Sequence, residues 1–260
     1  MSDATHQDLI LDQFTRQAQL FSTAAPITNE AALQMIVQAA RPAPTDTMLD
    51  IACGGGIVVC AFAPHVRQAT GVDMTPAMLD QARRLAAGKG LTNVAFRQGD
   101  ATALPFADAS VAIVTSRFAF HHFRDPLAVL REMVRVCAPG GRVLVIDSCA
   151  SEDKAKAAAF NRLELLRDPS HVRCLALSEH KSLFAAAGLG EPLVSFYELR
   201  DTVTNLLARS FPNPGDDEKI VAMFRGSAAD DRLGIPVRLA GEAIEYAYPV
   251  AILAAERHAA

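Results

Sequence analysis

Between residues 47 and 148 the chain alternates five short apolar runs with helix-patterned segments, and this alternation restricts the fold more than any other feature. The runs are TMLDIA (47–52), QATGVD (68–73), NVAFRQGD (93–100), SVAIVTSRFAF (110–120) and RVLVIDS (142–148). Parallel neighbours need a crossover of a dozen or more residues, which usually forms a helix, and helices on both faces make such strands apolar throughout. The sequence therefore predicts a parallel sheet covered on both sides. The crossovers fit. In TPAMLDQARRLAAGKG, Thr75 stands at the capping position, Pro76 in the first turn, and Gly88 or Gly90 at the stop. A short helix is expected from Gly56 to about Ala63, and DPLAVLREMVRVCAPGG reads as a helix ending in a Pro-Gly-Gly turn.

Outside this stretch the pattern loosens. QDLILDQFTRQAQLFS (7–22) carries Leu9, Ile10, Phe14, Ala18 and Phe21 at helical spacing, and a second helix is expected over 29–40. Helices are expected at 152–167 and 178–187, followed by a strand at 192–200. About forty mainly helical, proline-interrupted residues come next, then a strand-like segment within 242–257. A final hairpin-like pair interrupted by such an insertion suggests a cap built on the sheet.

The chain has a net charge of -4 and no Lys/Arg block, which argues against nucleic acid and anionic membranes as partners. No apolar stretch is long enough to span a bilayer, and the N-terminus lacks the basic and apolar parts of a signal peptide. The five cysteines are scattered through apolar segments, so they read as reduced core residues of a cytoplasmic protein. With no C-x-x-C and no H-x-x-x-H, no metal site is expected.

Ligands of open α/β sheets sit beyond the carboxyl ends of the strands. The first strand runs into Gly54-Gly55-Gly56, where the absence of side chains permits a sharp turn or the close approach of a ligand. The turn is close to the dinucleotide fingerprint G-x-G-x-x-G, but the third glycine's place is taken by Val59. The frame Asp50-x-Ala52-x-Gly54-x-Gly56 suits a different ligand, with an acid able to meet an ammonium group beside room for an amino-acid moiety. Asp73 ends the second strand and can accept from both hydroxyls of a ribose, while Asp100 can accept from an adenine amino group. An adenosine that carries an amino acid is S-adenosylmethionine.

At these residues the chain resembles the class I S-adenosylmethionine-dependent methyltransferases. Within that class it is similar to the branch containing the ubiquinone/menaquinone-biosynthesis C-methyltransferases (type 11-like). The resemblance is carried, in order, by MLDIACGGG, GVDMTPAMLDQA, GDATALPF, RFAFHHFRDP and VLREMVRVCAPGGRVLVID. NRLELLRDPSHVR (161–173) and QFTRQAQLF (13–21) also look like that branch. The resemblance implies a Rossmann-like α/β fold with a seven-stranded sheet of order 3-2-1-4-5-7-6, the last strand antiparallel, and helices on both faces. It further implies that Asp50, Ala52, Gly54, Gly56, Asp73, Met74, Asp100 and Ala101 line the cofactor pocket, with Met74 on the adenine. The wider superfamily often has glycine at the place of Ala52. The expected organisation is a helical lid at 1–45 and a cofactor-binding core at 46–150. Residues 151–260 would complete the sheet and carry a helical substrate cap at about 201–241.

Methyl transfer from a sulfonium needs mainly proximity and orientation, and a base only where the acceptor must lose a proton. His121 and His122 follow the fourth strand and are the base candidates, with His171 as another. If their segment is extended, only one of His121 and His122 faces the cavity. Arg117 could hold the cofactor carboxylate, an acidic acceptor or a structural partner. Phe14 and Phe21 would close the lid over the site. Candidate acceptor walls are Phe118, Phe120, Phe196, Tyr197, Phe211 and Phe224. The fourth strand is not followed by N-P-P-Y or D-P-P-Y, which favours C- or O-methylation of a small organic acceptor, with release of S-adenosylhomocysteine. The alternatives are a nicotinamide-dependent Rossmann oxidoreductase, a non-catalytic module that binds the cofactor, and a protein using the sulfonium charge to steer a rearrangement. Oligomeric state and the acceptor itself are left open by the sequence.

Overall fold

The five apolar runs become five parallel strands in a computed structural model that describes residues 3–258. They are β1 (Thr47–Ile51), β2 (Gln68–Asp73), β3 (Val94–Gln98), β4 (Val111–Arg117) and β5 (Cys137–Ser148). Three later strands, β6 (Leu193–Thr202), β7 (Val237–Ala240) and β8 (Ala243–Glu256), complete the sheet. The main order is β3-β2-β1-β4-β5-β8-β6, with β8 antiparallel to both neighbours. With β7 set aside this is 3-2-1-4-5-7-6, the order implied by the resemblance.

Two expectations need correction. The sheet has eight strands, because β7 pairs antiparallel with the start of β8 inside the segment read as a helical cap. Gly241, at φ 62°, supplies the positive φ that closes this tight hairpin. In addition, Pro139-Gly140-Gly141 does not precede the fifth strand but lies within it. The β4–β5 register shifts there, and a side chain on Gly141 would meet the Ala112 carbonyl oxygen at 2.6 Å.

Nine helices stand among the described residues. They are α1 (Asp3–Thr23), α2 (Glu30–Ala40), α3 (Ile57–Phe62), α4 (Pro76–Gly88), α5 (Pro126–Val136), α6 (Lys154–Arg167), α7 (Leu177–Ala186), α8 (Val203–Ala208) and α9 (Asp216–Asp230). Side-chain caps start several of them: Asn29 accepts from Ala32 N, Asp125 from Ala128 N, and Asp153 from Ala155 N and Lys156 N. Thr75 makes no such bond, so α4 starts on Pro76 and on the Thr75 N–H held by Asp73.

One apolar layer packs α5 and α7 on the sheet, and the other packs α2, α3, α6, α8 and α9. On α5, Val129, Leu130, Met133 and Val136 are fully buried, each contributing roughly 1.5–3 kcal/mol of burial free energy. α1 packs beside α4 over the carboxyl ends of the strands. Residues 1–2 and 259–260, the outer ends of the expected lid and last unit, lie outside the described residues. Among the described residues no helix is long and apolar enough to cross a membrane.

Candidate active site

The chain reverses its direction of winding between β1 and β4, and a crevice opens at their carboxyl ends. A front cavity of about 300 Å³ occupies it. Asp50, Asp73 and Asp100 stand on its wall at the ends of β1 and β2 and just past β3, together with Ala52, Gly54, Met74 and Ala101. Arg117, Phe118 and His122 close the β4 side, and Phe14 and Phe21 of α1 lie across the top.

The three glycines have separate tasks. A Cβ on Gly54 would meet only Met78 Sδ, at 3.9 Å, so its face is open to the cavity. A Cβ on Gly55 would strike Ser22 Oγ of α1, while one on Gly56 would lie 2.7 Å from Ala82 Cβ and 2.9 Å from Phe96 Cε1. Gly56, at φ 75°, therefore serves the packing of α4 and β3 and does not line the cavity, contrary to the sequence expectation. Ala52 takes φ 54°, where only glycine is unstrained. Val59 is fully buried, filling the place where a dinucleotide fold keeps its third glycine.

Asp73 accepts from Gly54 N and Thr75 N, both at 2.8 Å, which binds the glycine turn to the end of β2. Asp50 accepts from Thr115 Oγ1 at 2.7 Å. Burial pushes the Asp50 carboxyl up to about 7, against the pull of the Thr115 hydrogen bond and the Arg117 charge, and the Asp73 charge adds to the rise. Asp100 accepts from Thr102 N and Oγ1 at the cavity rim. The Arg117 guanidinium donates to the Ile27 carbonyl at 2.9 Å and lies over the Phe118 ring. Its Nη2 is buried with no partner among the described residues, as is Thr75 Oγ1. Both residues line the cavity.

Behind Phe118 lies a second, rear cavity of about 70 Å³. Phe14, Phe21, Ile27, Phe118 and His122 border both spaces. Phe118, at φ 55°, is a bulky residue in a conformation that costs on the order of 1–3 kcal/mol and clusters at functional sites. His121 and His122 belong to a 3₁₀ turn rather than an extended segment. Both reach the rear cavity, with ring centroids 4.3 Å apart.

The two histidines differ sharply. His121 Nδ1 lies 2.6 Å from Asp147 Oδ1, and the His121 backbone N–H donates to Oδ2. Burial would lower the His121 pKa, but the charge and hydrogen bond of Asp147 more than reverse this, so it stands above the ordinary value. Burial, then the neighbouring His121, lowers His122 to about 4. Its Nδ1 hydrogen-bonds the Ser170 carbonyl, and Phe14 packs edge-on against its ring.

Other expected residues lie elsewhere. His171 borders neither cavity; its Nε2 bonds Asn161 Oδ1, anchoring the loop after α6. Phe196 is 52% exposed, because the alternation of β6 points it outward. Phe120 and Phe224 are core, Phe211 stacks under Arg16, and the Tyr197 hydroxyl accepts from Arg117 Nε at 3.4 Å. The structure adds residues that sequence reasoning passed over: Gln17, Asp147, Glu164, Arg167, Asp168, Tyr246 and Tyr248. Asp147 follows the rule that singled out Asp50 and Asp73, an acid at the end of an apolar strand. Among the described residues no cluster of His, Cys, Asp or Glu could hold a metal ion.

Comparison with known proteins gives this geometry its context. Residues 49–145 match the model of a methyltransferase domain. Across 218 residues the chain is 35% identical to the uncharacterized methyltransferase YcgJ of Bacillus subtilis, covering 84% of this chain and 86% of that one. The crystal structure of YcgJ superposes with a TM-score of 0.82 at 31% identity, over 89% of this chain and all of that one (100%). A demethylmenaquinone methyltransferase of Deinococcus radiodurans is 43% identical over 103 residues, which are 38% of this chain and 42% of the relative.

Proposed function

The chain belongs to the methyltransferase-domain family, and from that premise we propose that it transfers a methyl group from S-adenosylmethionine to a small organic acceptor at carbon or oxygen. One observation carries the reading: three carboxylates from successive strand ends surround a cavity whose floor is a turn free of side chains. Arg117 supports it: this residue lines the cavity, and its buried Nη2 has no partner among the described residues.

The residues suit each part of that cofactor. Asp50 would hold the ammonium group, Arg117 Nη2 the carboxylate, Asp73 the ribose hydroxyls, and Met74 and Asp100 the adenine. When bound, the cofactor supplies a methyl group on a cationic sulfur and leaves as S-adenosylhomocysteine. The chain's own task is to exclude water, orient the acceptor and take its proton. α1 does the first, its Phe14 and Phe21 rings lying over both cavities while His6 Nε2 donates to the His122 carbonyl at 2.9 Å. Phe118 stands between the cavities and fixes the line of approach. His121 is the base: Asp147 holds Nδ1–H, leaving Nε2 as the ring atom available to the rear cavity. His122, neutral near pH 7, is a wall rather than a base.

We read residues 1–45 as the lid, 46–150 as the cofactor-binding core, and 151–260 as the part that completes the sheet and shapes the acceptor side. Five buried, unpaired cysteines fit a reducing cytoplasm. The deciding experiment is calorimetric titration with S-adenosylmethionine, S-adenosylhomocysteine and NAD, followed by an acceptor screen read by S-adenosylhomocysteine release. Micromolar affinity for the first two and none for NAD is expected. Binding of NAD alone would overturn the reading.

A further inference from the structure

We propose that the rear cavity is the acceptor site and admits a small neutral molecule bearing one weakly acidic hydroxyl on an sp² carbon, a single-ring phenol or an enol of that size. The inference rests on the methyl-transfer reading and narrows it. Four features of the chamber carry it.

Size comes first. At about 70 Å³ the chamber is smaller than the roughly 150 Å³ cavity that holds benzene in an engineered protein. It takes one end of a single ring, while the rest lies at the mouth between Phe14, Phe21 and Phe118, beside the front cavity.

The charge pattern comes second. Arg167 donates to Glu164 Oε2 through both Nε and Nη2, and Tyr248 donates to Glu164 Oε1 at 2.6 Å. Arg209 pairs with Asp201 at 2.5 Å, and Asp168 accepts from Ser170 N and Oγ and from Gln17. Asp147 is met by the Nδ1–H and the backbone N–H of His121. Among the described residues both arginines of the chamber wall are thus already paired. An anionic acceptor would lose its hydration and meet no free counter-charge, which is costly in a buried site.

Shape and proton transfer complete the case. Tyr246, Tyr248, Phe21 and Phe118 offer aromatic faces to a flat group. His121 Nε2, without a partner among the described residues, is the available proton acceptor. In the step that follows, the acceptor's O–H bond breaks and an N–H bond forms at Nε2. The electron pair stays on the acceptor oxygen, and the imidazolium formed is held by Asp147. His122, His171, Glu164 and Arg167 are the other titratable groups packed around His121.

The probe is 4-nitrophenol, coloured only as its anion, titrated into the full chain with S-adenosylhomocysteine present. Calorimetry reads affinity, and visible absorbance read across pH 5.5–8 gives the anion fraction. Bound nitrophenol is expected to ionise about one pH unit below the free compound, an anion-to-neutral ratio about tenfold higher at a given pH. His121→Gln and Asp147→Asn should each abolish that shift while leaving S-adenosylhomocysteine affinity within about twofold, which also verifies their folding. A hydroxybenzoate is expected to bind at least about tenfold more weakly than the nitrophenol. Equal binding of the hydroxybenzoate, an unshifted nitrophenol, or a shift that survives His121→Gln overturns the proposal. S-adenosylhomocysteine binding without nitrophenol binding sinks this inference alone, whereas failure of S-adenosylhomocysteine to bind sinks the methyl-transfer reading with it.

Discussion

On the proposed reading, Asp50 makes ligand binding in the front cavity pH-sensitive near neutrality. The side chain is 2% exposed and its carboxyl is pushed up to about 7, burial being the largest cause. An ammonium group gains an ionic partner there only when the carboxylate is ionised. With a pKa near 7, about one site in eleven is ionised at pH 6 and about ten in eleven at pH 8. Apparent affinity scales with the competent fraction, so S-adenosylhomocysteine is expected to bind about tenfold more tightly at pH 8, a difference of about 1.4 kcal/mol. Binding at pH 6 should then expel about 0.9 proton per site, measurable by calorimetry in buffers of different ionisation enthalpy. Asp50→Asn keeps an acceptor for Thr115 Oγ1 and cannot titrate, so its profile should be flat and its affinity at pH 8 reduced. The same group carries a stability cost. Its folded pKa lies above the unfolded value of 3.8, so folding loses free energy as pH rises from 3.8 through 7, up to roughly 4 kcal/mol. Asp50→Asn should therefore raise the melting temperature more at pH 8 than at pH 5. Wild-type affinity unchanged between pH 6 and pH 8, with no proton exchange, would refute the argument.

Asp73→Ala removes the proposed ribose partner and also strands the Gly54 and Thr75 N–H groups, so it should cost about 2–5 kcal/mol of stability as well as cofactor affinity. Denaturant unfolding and S-adenosylhomocysteine titration measure the two, and an unchanged affinity would remove the ribose assignment. Gly55→Ala drives a Cβ into Ser22 and should lift α1, seen as several-fold faster proteolysis within residues 3–23, with Ser22→Gly in the double variant restoring protection. Between pH 6.5 and 4 the buried histidines oppose Asp50. His122 and His171 stand at about 4 and about 3, below the unfolded 6.5, so their share of the stability is lost as pH drops from 6.5 towards 4, against the gain from protonating Asp50. The loss is up to roughly 3 kcal/mol for His122, and His171→Asn should blunt the fall in melting temperature over that interval.

The parallel half of the fold was legible because each of its strands is an apolar run bounded by turn residues, and its longer crossover helices open on a proline, Pro76 and Pro126. The later half was less so. β8 spans Ala243–Glu256 and meets β5, β6 and β7, so its length is set mainly by two partners far away in sequence, β5 and β6. β7 has only four residues, half-buried or exposed, and without the Gly241 turn it would carry no strand signal. Phe196 was misread for a related reason. Alternation shows that successive side chains on β6 face opposite ways, but not which face is covered, and neither cavity reaches that side of the strand.

The two cavities divide along the same line. The front one is made by local turns: the glycines follow β1, Asp73 ends β2, Asp100 follows β3, and each lies within a few residues of the strand that positions it. The rear one is assembled from α1, the turn after β4, α6 and β8, which only the closed sheet brings together. Glu164 and Arg167 illustrate the difference. Spaced i, i+3 on a helix, they read as an exposed pair worth a few tenths of a kcal/mol. Glu164 is in fact 3% exposed and is clamped by Tyr248 from a strand more than eighty residues away. Removing Tyr248 would leave a buried carboxylate short of a donor at the chamber's edge. Tyr248→Phe is therefore expected to weaken nitrophenol binding and to leave S-adenosylhomocysteine affinity unaltered, because the hydroxyl it deletes serves the wall of the proposed acceptor chamber and not the front cavity. An equal loss for both ligands would mean that front and rear act as a single site.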